Sequence, residues 1–442
     1  MMLADIAPVP SDEKLPERAD VVIIGGGIIG ASLALFLAER KVSVVLCEKG
    51  IIAGEQSSRN WGWCRQMGRD PREIPLIIES LGLWRQMNER IGEETGFRTT
   101  GILYLAKTDQ DLEGHQAWMK HARAYQLDSQ IIDGKRVAEL IPQSATSWKG
   151  ALYTPSDGKG EPFIAAPAIA RGAQKQGAKI FTRCAVRGIE REGGRISGVV
   201  TEKGRIACSQ VVLAGGAWSG VFCRSLGLRL PQLKVLSSVL RTTPVDGPVP
   251  SAWAPGFAYR KRADGGYTVA HGDVTVPELV PDSFRFFFDY LPMLKMEWKS
   301  LRPRLSERFM EEWNTPKSWA LDKESPFERI RTFDPKPLPH VLDDAMKHLR
   351  AAFPLFDSVK VADSWAGYID AMPDAVPVIS PIDQIPGFFV ATGFSGHGFG
   401  IGPGAGRLMA DLVTGSTPIV DPTPFRFTRF SDGTKIAPST GV

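Results

Sequence analysis

For its size the chain holds little cysteine and little histidine: five and six in 442 residues. Cys47, Cys64, Cys184, Cys208 and Cys223 are scattered, odd in number, and form no Cys-x-x-Cys pair. That pattern argues against a zinc site or a redox dithiol and points to a reducing compartment, so a cytoplasmic protein without a metal is expected. An excess of one charge sign is missing too. The net charge is +4 with basic and acidic residues interleaved, so no nucleic-acid partner is expected. There is no internal repeat, no low-complexity tract, and no basic stretch leading into a secretory apolar core. One apolar run, 21–38, is about long enough to span a bilayer. Four glycines interrupt it, and a strand–turn–helix reading accounts for every position. The length exceeds what one hydrophobic core usually serves, so two domains are expected.

That run holds the most informative residues. Ala19-Asp20-Val21-Val22-Ile23-Ile24 reads as a short buried strand, and Gly25-Gly26-Gly27-Ile28-Ile29-Gly30 follows it. Residues 31–40 are good helix formers, 42–47 read as a second strand, and Glu48 closes that strand. Gly-x-Gly-x-x-Gly between a strand and a helix, with an acid ending the next strand, is a dinucleotide-binding pattern. Gly25 permits the tight turn, Gly27 lets backbone approach a pyrophosphate, and Gly30 lets helix and strand pack closely. The helix N-terminus presents N–H donors to phosphate. Glu48 would accept hydrogen bonds from a ribose.

Downstream, helices are predicted over 73–91, 109–125 and 165–176, and strands over 101–105, 178–182 and 185–190. A hairpin is predicted over 196–209, and a buried strand runs from 210 into the turn Ala214-Gly215-Gly216-Ala217-Trp218. Residues 235–274 read as antiparallel strands, with Asp264-Gly265-Gly266 as a hairpin turn. Segment 277–319 is aromatic and basic with poor periodicity. A strand at 388–392 leads into a glycine-rich turn, and a helix is expected from about Gly404 to Leu412.

These segments resemble the FAD-dependent amine and amino-acid oxidoreductases of the D-amino-acid-oxidase, glycine-oxidase and sarcosine-oxidase type. The residues that carry the likeness are Val21 to Gly30 with Glu48, Ala214 to Trp218, and Ala391-Thr392-Gly393-Phe394-Ser395-Gly396-His397-Gly398-Phe399-Gly400-Ile401-Gly402-Pro403. A closer likeness is to bacterial L-amino acid deaminases. It rests on Ile52-Ala53-Gly54-Glu55-Gln56-Ser57-Ser58-Arg59, Val200 to Gly204, Glu324-Ser325-Pro326-Phe327-Glu328, Trp365-Ala366-Gly367 and Pro373-Asp374. The aromatic stretch near 284–294 resembles their additional module. Those deaminases also carry an N-terminal membrane helix that is not seen here.

The resemblance implies an α/β plus α+β fold. A discontinuous Rossmann-like FAD-binding domain is expected over 1–95, 150–228 and 355–430. The substrate domain, on a mixed and largely antiparallel sheet, is expected over 96–149 and 229–354. It includes an aromatic module at about 275–325, and 431–442 form a tail. Bound FAD is expected at Gly25, Gly27, Ile28, Ile29, Gly30, Glu48 and Lys49, at Gln56, Ser57, Ser58 and Arg59, at Val186, at Ala214, Gly215, Gly216 and Trp218, and at Gly393, Gly398, Phe399, Gly400 and Ile401. The turn Gly398–Gly402 would direct backbone N–H groups at the flavin. No histidine in loop 57–64 and no cysteine beyond Cys223 offers the usual covalent attachment, so non-covalent FAD is expected.

Catalytic-site expectations are Arg260, His397, Trp63, Tyr368 and Phe394. Arg260 resembles the carboxylate-binding arginine of the deaminases, and a guanidinium grips a carboxylate in bidentate fashion. Trp63, Tyr368 and Phe394, with Trp61, would wall an apolar pocket, and His397 sits in the flavin turn. Sarcosine oxidases place a lysine where this chain has Gly400, and glycine oxidases an arginine near Ile369. The implied reaction is oxidation of an α-amino acid by hydride transfer from Cα to the flavin, giving an imino acid that hydrolyses to a 2-oxo acid and ammonia. Oxidation of a secondary amine, imino acid or D-amino acid is the alternative, and a non-catalytic FAD-binding subunit is the reading from another class. The aromatic segment, flanked by Arg285, Lys295 and Lys299, leaves open a peripheral contact with the inner membrane face, a quinone acceptor, and a homo-oligomer.

Overall fold

The computed structural model describes residues 5–298 and 300–438; Lys299 and residues 439–442 of the expected tail lie outside them. Segments far apart in sequence become neighbours in one six-stranded sheet. Val21–Ile24 lies between Val44–Cys47 and Gln210–Leu213, all parallel, with Val21 opposite both Val44 and Gln210. Phe388–Thr392 adds in parallel beyond Gln210–Leu213, and Lys179–Phe181 beyond Val44–Cys47. Val378–Pro381 closes one edge antiparallel.

The central strands are buried on both faces, as their unbroken β-branched sequence requires. Val21 and Ile23 face a layer built from helices Ile28–Glu39, Ile74–Ile91, Pro162–Lys175 and Gly398–Thr414. Val22 and Ile24 face Val186, Ile189 and Val199 of a three-stranded sheet. The helix Ile28–Glu39 is buried almost all round, which explains a run so apolar that it is long enough for a bilayer. Among the described residues no helix is long and apolar enough to cross a membrane.

The second unit is a ten-stranded sheet. Its pairings are antiparallel except Ser251–Ala254 with Ile102–Ala106 and Val276–Leu279 with Arg304–Leu305. Helix Pro339–Ala352 covers one face, seating Leu342, Met346 and Leu349 with Phe257, Tyr259 and Tyr267.

Strand pairing moves two expected boundaries. Gly150–Thr154 and Val361–Ala371, expected with the cofactor domain, pair in the large sheet. Val361–Ala371 runs antiparallel to Leu233–Thr242 and then feeds Val378–Pro381 of the other sheet, so it joins the two units. Its sequence, with Asp363, Gly367 and Asp370, gives no strand signal, and neither this strand nor helix Pro339–Ala352 is predicted above.

Segment 277–319 is mostly helical: Pro281–Arg285, Phe287–Met296 and Arg308–Asn314 follow strand Val276–Leu279. Phe286 and Tyr290 are buried, with the Tyr290 hydroxyl 2.6 Å from Ala371 O. Phe284, Phe287, Phe288, Trp298 and Trp313 are exposed.

Candidate active site

The first turn after Val21–Ile24 is glycine by steric necessity. Gly25 has φ +112°, and a Cβ there would lie 2.4 Å from Ala214 O. A Cβ on Gly30 would lie 2.0 Å from Gly25 O. Gly27, extended, opens helix Ile28–Glu39 with no side-chain cap of its own. Ser57 Oγ instead accepts the Ile28 N–H at 2.8 Å. The backbone therefore comes within reach of a pyrophosphate at a helix N-terminus, where the dipole favours anions.

At the end of Val44–Cys47, Glu48 accepts N–H bonds from Gly26 at 2.7 Å and from Gly50 at 2.6 Å. Burial pushes its carboxyl up, against Lys49 and those two N–H groups. A carboxylate held this way has lone pairs left for ribose hydroxyls. Trp218 stacks on Phe333 at 4.2 Å, with Lys49 Nζ 4.2 Å over its ring. Val186, Ala214, Gly215 and Gly216 complete this wall. The cradle that a Cβ would fill, the half-buried acid and the helix N-terminus fit an adenine dinucleotide.

The cavity does not end there. It measures about 940 Å³ and runs from Gly25 and Glu48 past Ile369, Phe394, Gly398 and Phe399 into a second chamber. Trp61, Trp63, Tyr104, Trp118, Leu152 and Trp253 line that chamber. Its polar lining includes Arg65, Arg69, His115 and His121. Gly398–Thr414 is helical from Gly398, six residues earlier than predicted, so the glycine-rich turn is the first turn of that helix. The preceding Phe394–His397 segment brings its N-terminus to the cavity.

Several predicted residues lie elsewhere. Arg260 does not line the cavity. It is buried, with Nη1 donating to Glu161 Oε1 at 2.7 Å, Nε to Trp61 O at 2.6 Å and Nη2 to Thr268 Oγ1 at 3.2 Å. Those bonds direct it into the protein, away from the cavity lining where a carboxylate anchor is expected. Ser58 turns inward and donates to Glu55 O at 3.2 Å. Gly393 packs against Met372. Gly400 backs onto Cys64, and its carbonyl accepts from Ser80 Oγ at 2.8 Å and Trp84 Nε1 at 2.9 Å. Ile401 is fully buried, because helical geometry turns it away from the cavity. Tyr368 reaches the cavity with its ring, while its hydroxyl donates to Glu278 Oε2 at 2.9 Å.

Gln56, Ser57, Arg59, Trp63, Phe394, His397 and Phe399 do line the cavity. Arg59 is held by Asp334 at 2.7 Å and Ala366 O at 2.7 Å, and its Nη2 is buried without a partner. His397 Nδ1 lies 3.2 Å from Glu73 Oε2. Burial and the neighbouring Arg69 push His397 down to about 4, more strongly than Glu73 raises it, so the ring is neutral at pH 7.

The sequence reading missed Arg65, Arg69 and Glu73. They follow the quoted loop and precede helix Ile74–Ile91. Two arginines four residues apart are a weak signal by themselves. Behind them Asp157 accepts N–H bonds from Gln66 at 2.7 Å and Met67 at 3.3 Å, and burial pushes its carboxyl up to about 7.

His271, in the cavity wall, sits with Asp344 and His348 close enough to share an ion. Hydrogen bonds account for the group. Asp273 N–H donates to His271 Nδ1 at 3.1 Å, which leaves the Nε2 proton for Asp344 Oδ2 at 3.0 Å.

Residues 20–412 match the family described as DAO, FAD dependent oxidoreductase. The fold is similar to that of L-amino acid deaminase from Proteus myxofaciens, solved in complex with anthranilate. That likeness has a TM-score of 0.93, 37% identity, and 97% of each chain covered. L-amino acid deaminase from Proteus vulgaris gives 0.92 with 35% identity, covering 96% of this chain and all of that one. Glycine oxidase from Pseudomonas putida is 24% identical over 426 residues, 92% of this chain and 97% of the relative.

Proposed function

The chain belongs to the DAO family of FAD-dependent oxidoreductases, and on that footing we propose that it oxidises an α-amino acid to its imino acid, which water converts to a 2-oxo acid and ammonia. One observation carries this reading: a single cavity joins the dinucleotide cradle at Gly25 and Glu48 to the aromatic chamber at Trp61, Trp63 and Tyr104. Bound FAD supplies the hydride acceptor. The chain's own residues orient the amine. Phe394 and Trp63 limit where the substrate Cα can lie, and the aromatic walls exclude bulk water. His397, neutral and tied to Glu73, adds no positive charge at neutral pH, which favours the uncharged amine needed for hydride loss.

Oxidation of a D-amino acid, an imino acid or a secondary amine is the alternative. The test is an anaerobic screen of L- and D-amino acids and N-methylated analogues for bleaching of the flavin. Bleaching by L-amino acids within seconds supports the reading. Bleaching by secondary amines alone replaces it with the alternative. No bleaching by any amine, without a partner protein, favours a non-catalytic subunit. FAD is held without a covalent bond in this reading: heat or acid releases intact FAD, and flavin retained on the denatured chain would contradict it.

The exposed rings of Phe284, Phe287, Phe288 and Trp298, beside Arg285 and Lys295, support a peripheral membrane contact, with which a quinone would be the natural final acceptor.

A further inference from the structure

Residues 326–334 run between helices Arg308–Asn314 and Pro339–Ala352, both of the second unit, yet Phe327, Arg331 and Thr332 line the cofactor cavity. Residues 331–337 form no helix or strand. Among the described residues, their backbone N–H groups make a single hydrogen bond inside the protein, from Phe333 to Glu55 Oε1 at 3.1 Å. Side chains around the cradle hold the segment instead. Lys49 Nζ donates to Ile330 O at 3.1 Å and to Arg331 O at 2.9 Å. Arg331 grips Glu202 with both Nη atoms, at 2.8 and 2.6 Å, and its Nη1 also donates to Lys49 O at 2.8 Å. Arg59 pairs with Asp334 at 2.7 Å. Phe333 stacks on Trp218 at 4.2 Å. A Cβ on Gly50 would lie 2.7 Å from Arg331 O, so the segment is pressed onto the chain just after Glu48.

These ties join protein groups to one another, so they form with the cradle empty or filled. Singly they are weak. Asp334 is 65% exposed in its side chain and Arg331 35%, and water and salt screen such pairs. A segment held by a few part-exposed ion pairs, with no backbone ladder, opens at lower cost than the helices and strands around it. We propose that 330–334 is a latch over the adenosine end of the cavity, beside Glu48, Val186 and Trp218, and that FAD enters and leaves when the latch lifts. The inference rests on FAD occupying the cradle, and not on which amine the chain oxidises.

The test uses the FAD-loaded full chain. Bound FAD is exchanged against an excess of isotope-labelled FAD, and the flavin released from desalted samples is read by mass spectrometry. Rebinding to flavin-stripped protein is followed by quenching of FAD fluorescence. Arg331→Gln combined with Asp334→Asn is expected to speed exchange and rebinding alike, by about tenfold, with the affinity kept within about threefold of wild type. Raising the salt from about 0.05 to 0.5 M should speed exchange in the wild type and not in the double variant. A second variant closes the latch. A Cβ on Gly54 would lie 3.6 Å from Thr332 Oγ1, on the scale of a disulfide. Gly54→Cys with Thr332→Cys, oxidised, is expected to exchange FAD at least tenfold more slowly than its own reduced form, and dithiothreitol should restore the rate.

Faster release with unchanged rebinding makes these side chains ordinary cofactor contacts and overturns the latch. Unchanged exchange in the double variant, or in the cross-linked form, overturns it too. If the double variant loses the wild-type thermal transition, the cross-linked form decides. Failure of the catalytic reading looks different: no amine bleaches the flavin, while the exchange rates respond as stated.

Discussion

Arg260 Nη1 donates to Glu161 Oε1 at 2.7 Å, and both side chains are shielded from solvent. Glu161 also accepts the Ala263 N–H at 2.9 Å and stands at the start of helix Pro162–Lys175. The pair therefore ties strand Phe257–Lys261 to the helical layer. Arg260→Ala strands a buried carboxylate, so it should lower stability by about 3–5 kcal/mol. Urea denaturation checks this. Replacing both partners, Arg260→Met with Glu161→Gln, should cost less than Arg260→Ala alone.

Gly30→Ala should abolish FAD retention and destabilise the protein. Its Cβ would lie 2.0 Å from Gly25 O, backbone that cannot yield without opening the turn. Overpacking of this kind costs about 1–3 kcal/mol or more. Gly27→Ala, whose Cβ would meet Ser57 Oγ at 3.0 Å, should be milder. The ratio of flavin to protein absorbance after purification separates the two.

Two buried groups give opposite pH slopes. His397 is held down to about 4, so between pH 4 and its ordinary value near 6.5 the unfolded chain binds more protons. Stability from this group is complete above about 6.5 and is lost as pH falls toward 4, a change of about 3 kcal/mol. Asp157 is held up to about 7, so the folded chain binds more protons from about 4 to 7 and this contribution falls as pH rises. Relative to wild type, His397→Gln should lose ground between pH 4.5 and 7.5, and Asp157→Asn should gain. Urea midpoints at the two pH values check both directions.

The exposed aromatic surface should bind anionic vesicles at low salt and release them as salt rises. Phe287→Ser and Phe288→Ser should weaken co-sedimentation without unfolding the protein, since both rings are exposed. Phe286→Ser should unfold the module instead, because Phe286 is buried with Arg229 5.3 Å over its ring. Absence of binding together with fast peroxide production would remove the membrane contact.

The dinucleotide cradle is dictated by residues adjacent in the chain. The turn at Gly25 and the contact at Gly30 admit no Cβ, so steric exclusion writes them locally into the chain, and Val21–Ile24 is apolar because both its faces are covered. Residues 210–218 and 388–399 were legible for the same reason, each a strand running into a glycine turn. What Arg260 does was not legible. Its neighbours in sequence suit a carboxylate anchor, but Glu161, Trp61 and Thr268 reach it only after the sheet and the helical layer pack together. Arg69 is the converse. Nothing local marks it, and the fold gives it an open donor by placing its possible partner, Glu73, against His397 from 324 residues away. Local sterics are carried by adjacent residues. The pairing of buried charges depends on which distant groups arrive first in reach, and only the tertiary structure decides that.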